Sequence, residues 1–479
     1  MNIRTIMYTL GWVLNIEAVC LILPAVCAII YGELYYLKYI ALCIVLCLAF
    51  GIALVIKPSE NKAMYAKEGF VTVALSWIVI SIFGSLPFSL AGAIPNCVAA
   101  IFETVSGFTT TGASILSDIE AMPKCLLFWR SFTHWIGGMG VLVFLVAILP
   151  LSGGSNLYLI KAESPGPSVS KIVPKVRQTA KIFYSIYIAL TLAEVILLLA
   201  GGLSLFEALT LSFGTAGTGG FGTLNTSIAT YSPYIQWVIT IFMLMFGVDF
   251  SLYYLVITKR VKIALSSDEF KTYLIIVATA VAAVAINCRH LFANAFETLR
   301  HSAFQVASII TTTGYATTDF DLWPEFSKAI LVALMFIGAC AGSTGGGIKV
   351  SRIIILLKSI GKEIKVASHP KATAKITMNG RLVEHETVRA VNVYISIFAI
   401  LFTASMLIIS IDNMDFTTNF TAVAATINNI GPGLSGVGPT RNFAEYSALS
   451  KLVLSLDMLI GRLEIYPVLL LFAPKTWKK

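Results

Sequence analysis

The sequence predicts an all-α integral membrane protein: four pseudo-symmetric helix–pore-loop–helix repeats around one pore, preceded by an N-terminal transmembrane hairpin. Three observations predict it. Of the 479 residues, 57% are hydrophobic and 12% charged, against about a quarter charged in ordinary soluble domains. Long apolar segments alternate with apolar segments of about 11–17 residues, short of the roughly 20 that a helix needs to cross a bilayer. Four of the short segments run into Thr- or Asn-rich clusters that reach a glycine, at Gly112, Gly220, Gly314 and Gly431, spaced 108, 94 and 117 residues apart. A repeat of that period governs every later fold argument.

Taken in order, residues 6–31 and 36–57 form two apolar helices joined at Gly32-Glu33-Leu34. A kink is expected at Pro24, which lacks an N–H and crowds the preceding turn. These helices and the polar linker to residue 68 carry no glycine-centred loop, so 1–68 is an appended hairpin and linker. The repeats follow over 69–178, 179–268, 269–385 and 386–479, each built as spanning helix, re-entrant helix, loop, spanning helix. Their helices are expected at 69–92, 96–108 and 124–151; 180–201, 204–216 and 231–258; 270–290, 294–310 and 324–357; and 387–411, 416–427 and 444–472. Eight scattered cysteines with no CxxC spacing read as small packing residues.

The loops carry the chemistry. Glycine admits left-handed backbone without a Cβ penalty, so carbonyls at the end of a re-entrant helix can turn away from that helix. Irregular backbone at membrane depth survives only where protein buries it or where it lines water. Rings of backbone carbonyls replace the hydration shell of alkali cations in selective pores. The candidate carbonyls belong to Thr110, Thr111 and Gly112; Thr218, Gly219 and Gly220; Thr312, Thr313 and Gly314; and Asn429, Ile430 and Gly431. The first and third repeats agree upstream, Phe102-Glu-Thr-Val-Ser against Phe304-Gln-Val-Ala-Ser, whereas the fourth replaces Thr by Asn and Ile.

Charge sets the orientation. With the glycine loops outside, the inner segments are the N-terminus, 57–68, 153–181, 259–271, 349–389 and the tail from Lys475, which together hold 25 of the 34 Lys and Arg. That is the positive-inside pattern. It accounts for the net charge of +9 without nucleic acid. Acidic residues including Asp118, Glu120, Asp319, Asp321, Asp412 and Asp415 fall outside, where they would attract cations to the mouth or keep the rim solvated. Glu103 differs, because it lies inside a re-entrant helix, where a charge requires a partner or a purpose; filter support is the candidate role. No nucleophile–base pair, metal cluster or GxxxxGK[ST] motif is present, so enzyme chemistry and nucleotide hydrolysis are not expected.

These residues resemble the Trk/Ktr/HKT superfamily of potassium transporters, and most closely its TrkH-type membrane subunits. The likeness covers essentially the whole chain. It includes a filter glycine in each repeat, the N-terminal hairpin, and the segments His134-Trp-Ile-Gly-Gly-Met-Gly140, Ala339-Cys-Ala-Gly-Ser-Thr-Gly-Gly-Gly-Ile-Lys349 and Gly461-Arg-Leu-Glu464. It implies a single-chain pseudo-tetramer, usually a homodimer, in the bacterial plasma (inner) membrane with both termini cytoplasmic. Potassium is the implied cargo, rubidium is expected to permeate, and no cofactor is covalently bound. Nucleotide would act only through a cytosolic TrkA-like nucleotide-binding ring, for which the basic 349–389 segment is a dock. In such proteins the glycine-rich stretch Gly338, Gly342, Ser343, Thr344, Gly345, Gly346, Gly347, ending at Lys349, gates the pore below the filter. Arg462 adds an electrostatic barrier there. The residues themselves leave two alternatives open: glycines as a helix-packing seam, and Arg462 as a structural partner of Asp457, Glu464 or Asp249. A proton- or sodium-coupled alternating-access symporter, with the four loops as its binding site, is the competing reading.

Overall fold

The computed structural model describes residues 1–56, 65–140, 176–370 and 375–477. The 57–64 part of the linker, the expected helix beyond residue 140 with most of the 153–181 loop, residues 371–374 and Lys478–Lys479 lie outside the described residues. Among the described residues, six helices are long and apolar enough to cross a membrane: Ile3–Ile30, Leu34–Val55, Ala66–Leu90, Gln178–Ala200, Asp268–Cys288 and His385–Asp412. The chain is a multi-pass membrane protein.

The hairpin forms as expected. Its first helix breaks at Leu21, between Ile3–Cys20 and Ile22–Ile30, three residues ahead of Pro24. Pro24 has no N–H to give the carbonyl four residues back, so the ladder ends there. The hairpin helices cross at glycines: a Cβ on Gly11 would stand 2.7 Å from the Gly51 carbonyl oxygen. Small residues let helix backbones approach in this way where lipid supplies no hydrophobic drive.

Each repeat opens with a long helix, Ala66–Leu90, Val176–Ala200, Asp268–Cys288 or His385–Ile409. Each then places a short helix before its loop: Cys97–Phe108, Leu205–Gly217, Ala295–Ile310 or Phe416–Ile427. Side chains start all four short helices: Asn96, Ser204, Asn294 and Asp415 accept from the backbone N–H of Ala99, Glu207, Glu297 and Thr418. These caps satisfy donors that a helix end otherwise leaves bare, which matters most where water is scarce.

The closing helices differ from expectation. An unbroken span over 231–258 is not formed; Pro233–Phe246 and Phe250–Ile257 meet at a 92° bend around Gly247-Val248-Asp249. The span expected over 444–472 is likewise cut, into Ala448–Arg462 and Tyr466–Phe472, by Glu464 and Ile465 at φ 57° and 71°. The interruption in the third repeat, by contrast, is the one its glycine-rich run implies: helix Glu325–Ile337 stops at Gly338 and resumes only at Val350. The physical cause is shared: each break puts a left-handed residue or a side-chain-capped turn where the helix passes beneath the loops. Asp249 caps the second half of the bent pair by accepting from Ser251 N–H at 2.8 Å. Hydropathy does not register the breaks at 247–249 and 463–465, because the few charged residues there, Asp249, Arg462 and Glu464, are set in otherwise apolar runs.

Candidate functional site

The short helices all end in the same turn. Thr110, Thr218, Thr312 and Asn429 adopt left-handed φ of 55–59°, and two residues later Gly112, Gly220, Gly314 and Gly431 have φ of 77–99°. In each repeat one hydrogen bond spans the turn: Thr111 N–H to Ser106 O, Gly219 to Gly214, Thr313 to Ser308 and Ile430 to Ala425, at 2.8–2.9 Å. Such bonds satisfy the last helix carbonyls when the chain turns left-handed. For threonine that conformation is an outlier, and its use at three of four equivalent places marks strain held by the surroundings.

The four turns close into a ring. A Cβ on Gly112 would strike the carbonyl oxygen of Gly219, one on Gly220 that of Thr313, and one on Gly314 that of Ile430. A Cβ on Gly431 would meet Thr111 O at 2.8 Å, which returns the circuit to the first repeat. The structure thus brings all twelve expected residues together, repeat against repeat in chain order. Thr109 and Thr111 hydroxyls bond at 2.9 Å, and Thr311 and Thr313 repeat the contact at 2.8 Å. In the fourth repeat Asn429 Nδ2 instead donates to Thr111 Oγ1 and to Met458 O, each at 2.9 Å. All four short helices point their C-termini, the negative ends of their dipoles, at the ring.

Behind the ring, Glu103 is only 1% exposed and binds three groups. Arg130 Nε lies 2.6 Å from Oε1, Ser114 Oγ donates to Oε1 at 2.9 Å, and Ile115 N–H donates to Oε2 at 2.9 Å. Arg130 continues to the second repeat, donating to Gly222 O at 3.1 Å with its guanidinium 3.4 Å above the Phe221 ring. His134 Nδ1 lies 2.7 Å from Gly107 O. Arg130 was not singled out as a site residue from sequence; an arginine in an apolar segment near an intramembrane glutamate was the available signal.

Below the ring lies the glycine-rich stretch. Gly346 N–H donates to Thr312 Oγ1 at 2.6 Å, and a Cβ on Gly345 would sit 2.9 Å from Thr311 O. Gly338, Gly342 and Gly347 have φ of 72–77°, and Lys349 has φ 83°. Lys349 Nζ donates back into the stretch, to Gly345 O and, at 3.1 Å, to Gly346 O. Glu269 Oε1, another residue that the sequence reading passed over, accepts from Ala341 N–H at 2.7 Å and Ser351 N–H at 3.0 Å. Ser343 Oγ donates to Cys340 O at 2.6 Å. Arg462 reaches the same place, donating to Thr344 O and Gly138 O at 2.8 Å each and to Gly137 O. Of the carboxylates considered as its partners, Glu464 pairs with Arg352 at 2.6 Å, Asp457 accepts from Ser405 at 2.6 Å and Asp249 accepts from Ser251 at 2.5 Å.

Outside the ring is a vestibule of about 160 Å³, whose walls include all four ring glycines, Arg130 and Arg441. The outer carboxylates do not line it. Asp118 and Glu120 instead bind Asn225, and Asp319 and Asp321 accept from Thr440 and Ser435. The mouth is therefore not the bare acidic surface that a count of outer residues suggests.

Four short helices converging on one ring of backbone carbonyls within a multi-pass bundle define a pore-loop membrane protein. The family model for TrkH, a cation transport protein, matches residues 37–286 and 274–479. The chain is 36% identical to the Trk system potassium uptake protein TrkH of Salmonella typhimurium strain LT2, over the full length of both. It is 30% identical to TrkG of Escherichia coli K12, covering 100% of this chain and 99% of that one. The crystal structure of the potassium transporter TrkH from Vibrio parahaemolyticus superposes with a TM-score of 0.89 at 32% identity, covering both chains in full. The chain belongs to the TrkH family.

Proposed function

We propose that the chain carries potassium inward across the bacterial inner membrane through a filter formed by the carbonyls of the four turns. The observation that carries this is the closed circuit of left-handed turns at the ends of four converging helices. Neutral dipoles can replace a hydration shell without trapping the ion, and the helix C-termini add negative potential at the same point. Relatives along the whole chain are named potassium uptake proteins. The glycine-rich stretch of residues 338–347 acts as a gate, held against the filter by Gly346 and bridged to the first repeat by Arg462. Both termini face the cytoplasm, the active unit is a homodimer, and a nucleotide-binding ring docks on the basic inner segments.

Expression in a bacterium lacking potassium uptake, together with that ring subunit, is expected to restore growth at low potassium and permit rubidium influx. Gly112→Ser pushes a side chain into the Gly219 carbonyl and is expected to lower potassium-over-sodium preference roughly tenfold, equivalent to about 1.4 kcal/mol at one site. Rescue without any change of preference in that variant would remove the filter assignment. Coupling to protons or sodium is the competing reading. The reversal potential in bilayers under opposed potassium and pH gradients separates the two, since uncoupled flux follows potassium alone.

A further inference from the structure

The vestibule above the filter carries charge that runs against its cargo. Two arginines line it and no carboxylate does. Arg130 is 2% exposed and compensated by Glu103. Arg441 is exposed, and among the described residues its guanidinium has no hydrogen bond or ion pair. Its place is nonetheless fixed by its neighbours. Its own N–H donates to Gly438 O at 3.0 Å, Thr440 Oγ1 to Asp319 Oδ2 at 3.0 Å, Asn442 Nδ2 to Leu116 O at 3.3 Å, and Phe443 N–H to Ser114 O at 2.8 Å. A tight turn tied to the first and third repeats thus presents a free guanidinium to the space that every incoming ion crosses.

No carboxylate is among the residues lining the vestibule. Asp118, Glu120, Asp319 and Asp321 each bind groups in the surrounding loops.

We propose that Arg441 is a charge-selectivity residue of the outer vestibule, excluding multivalent cations from the filter more strongly than potassium. This rests on the filter reading above. The potential of one fixed charge acts in proportion to the valence of the ion. Across about 10 Å of water-like dielectric it changes local occupancy about twofold for a univalent ion, and by the square of that, about fourfold, for a divalent one. A divalent ion near potassium in size, such as barium, would otherwise compete for carbonyl sites built to dehydrate a cation.

The test uses the full chain in liposomes, with rubidium influx at low rubidium and barium added outside. Arg441→Gln is expected to raise rubidium influx about twofold and to lower the barium concentration for half block about fourfold. Arg441→Lys keeps the charge and is expected to leave both near wild type, whereas Arg441→Glu moves both further in the direction of the Gln variant. Raising ionic strength with an impermeant organic chloride is expected to shrink the differences, because screening shortens the reach of the charge. Unchanged barium block in Arg441→Gln, or equal shifts for rubidium and barium, overturns the proposal while leaving the filter reading standing. A wild-type chain without rubidium flux overturns the filter reading and this proposal with it.

Discussion

At the residue scale, the buried charges divide into a pair behind the ring of turns and one arginine that reaches the glycine-rich stretch. Glu103 and Arg130 form a close pair that pins the chain after the filter in two repeats. Glu103→Gln leaves Arg130 buried beside a neutral amide, and loss of one member of such a pair costs about 3–5 kcal/mol. Thermal melting in detergent is expected to fall accordingly, with a loss of potassium preference in the surviving protein. Replacing both residues by apolar ones of similar volume is expected to recover melting but not preference; recovery of both would reduce the pair to packing. Arg462 behaves differently, because the bonds described for it go to backbone carbonyls of Thr344, Gly137 and Gly138. Arg462→Ala is expected to raise flux per folded protein with little change in melting. Early melting without added flux would return Arg462 to a structural role.

At the scale of elements, the contacts of the glycine-rich stretch set up a test between the proposed gate and a packing seam. Its Gly346 N–H bonds a filter threonine, and a Cβ there would stand 2.5 Å from Asn428 O and 3.1 Å from Asn429 Cβ. Gly346→Ala is expected to push the stretch off the filter and raise basal potassium leak. A seam predicts the reverse, lower melting with no leak. The short filter helices were legible in the sequence because length, capping residues and Gly/Thr clusters all change together at their ends. The bend at residues 247–249 and the break at Glu464–Ile465 were not. The first is a turn capped by Asp249 and the second a pair of left-handed residues, both set in otherwise apolar runs, and no periodicity reports either.

For the whole molecule, the ties between repeats at the outer mouth decide how the ring keeps its shape. Asn225 Nδ2 donates to Asp118 at 2.9 Å, and Ile119 N–H donates back to Asn225 at 2.7 Å, joining the first and second repeats. The Asn225 amide, with the Ala121 and Glu120 backbone N–H groups, holds the Asp118 carboxyl below its ordinary range despite its exposure. A depressed folded pKa gives stabilisation that is complete above the unfolded value of about 4 and lost as pH falls through the lower folded one. The contribution of this tie is therefore expected to be constant from pH 8 to 5 and to fade only below about pH 4. Comparing melting of wild type and Asp118→Asn across that range checks it. The twelve residues of the four turns, their four closing glycines included, were legible because backbone chemistry forced their types. The inter-repeat order was not, since Gly112 carries no sign that it will face Gly219 and not Ile430.

That order has a consequence for how such a chain can change over generations. Each contact around the ring joins a glycine of one repeat to a main-chain oxygen of the next. Neither partner is encoded by a side chain, so the middle position can drift from threonine to glycine to isoleucine, as it has here, without the neighbouring repeat needing a matching mutation. Duplicated segments joined this way are free to specialise one at a time. One quarter can acquire a glycine-rich stretch and another a buried ion pair, while the shared ring of turns is inherited intact.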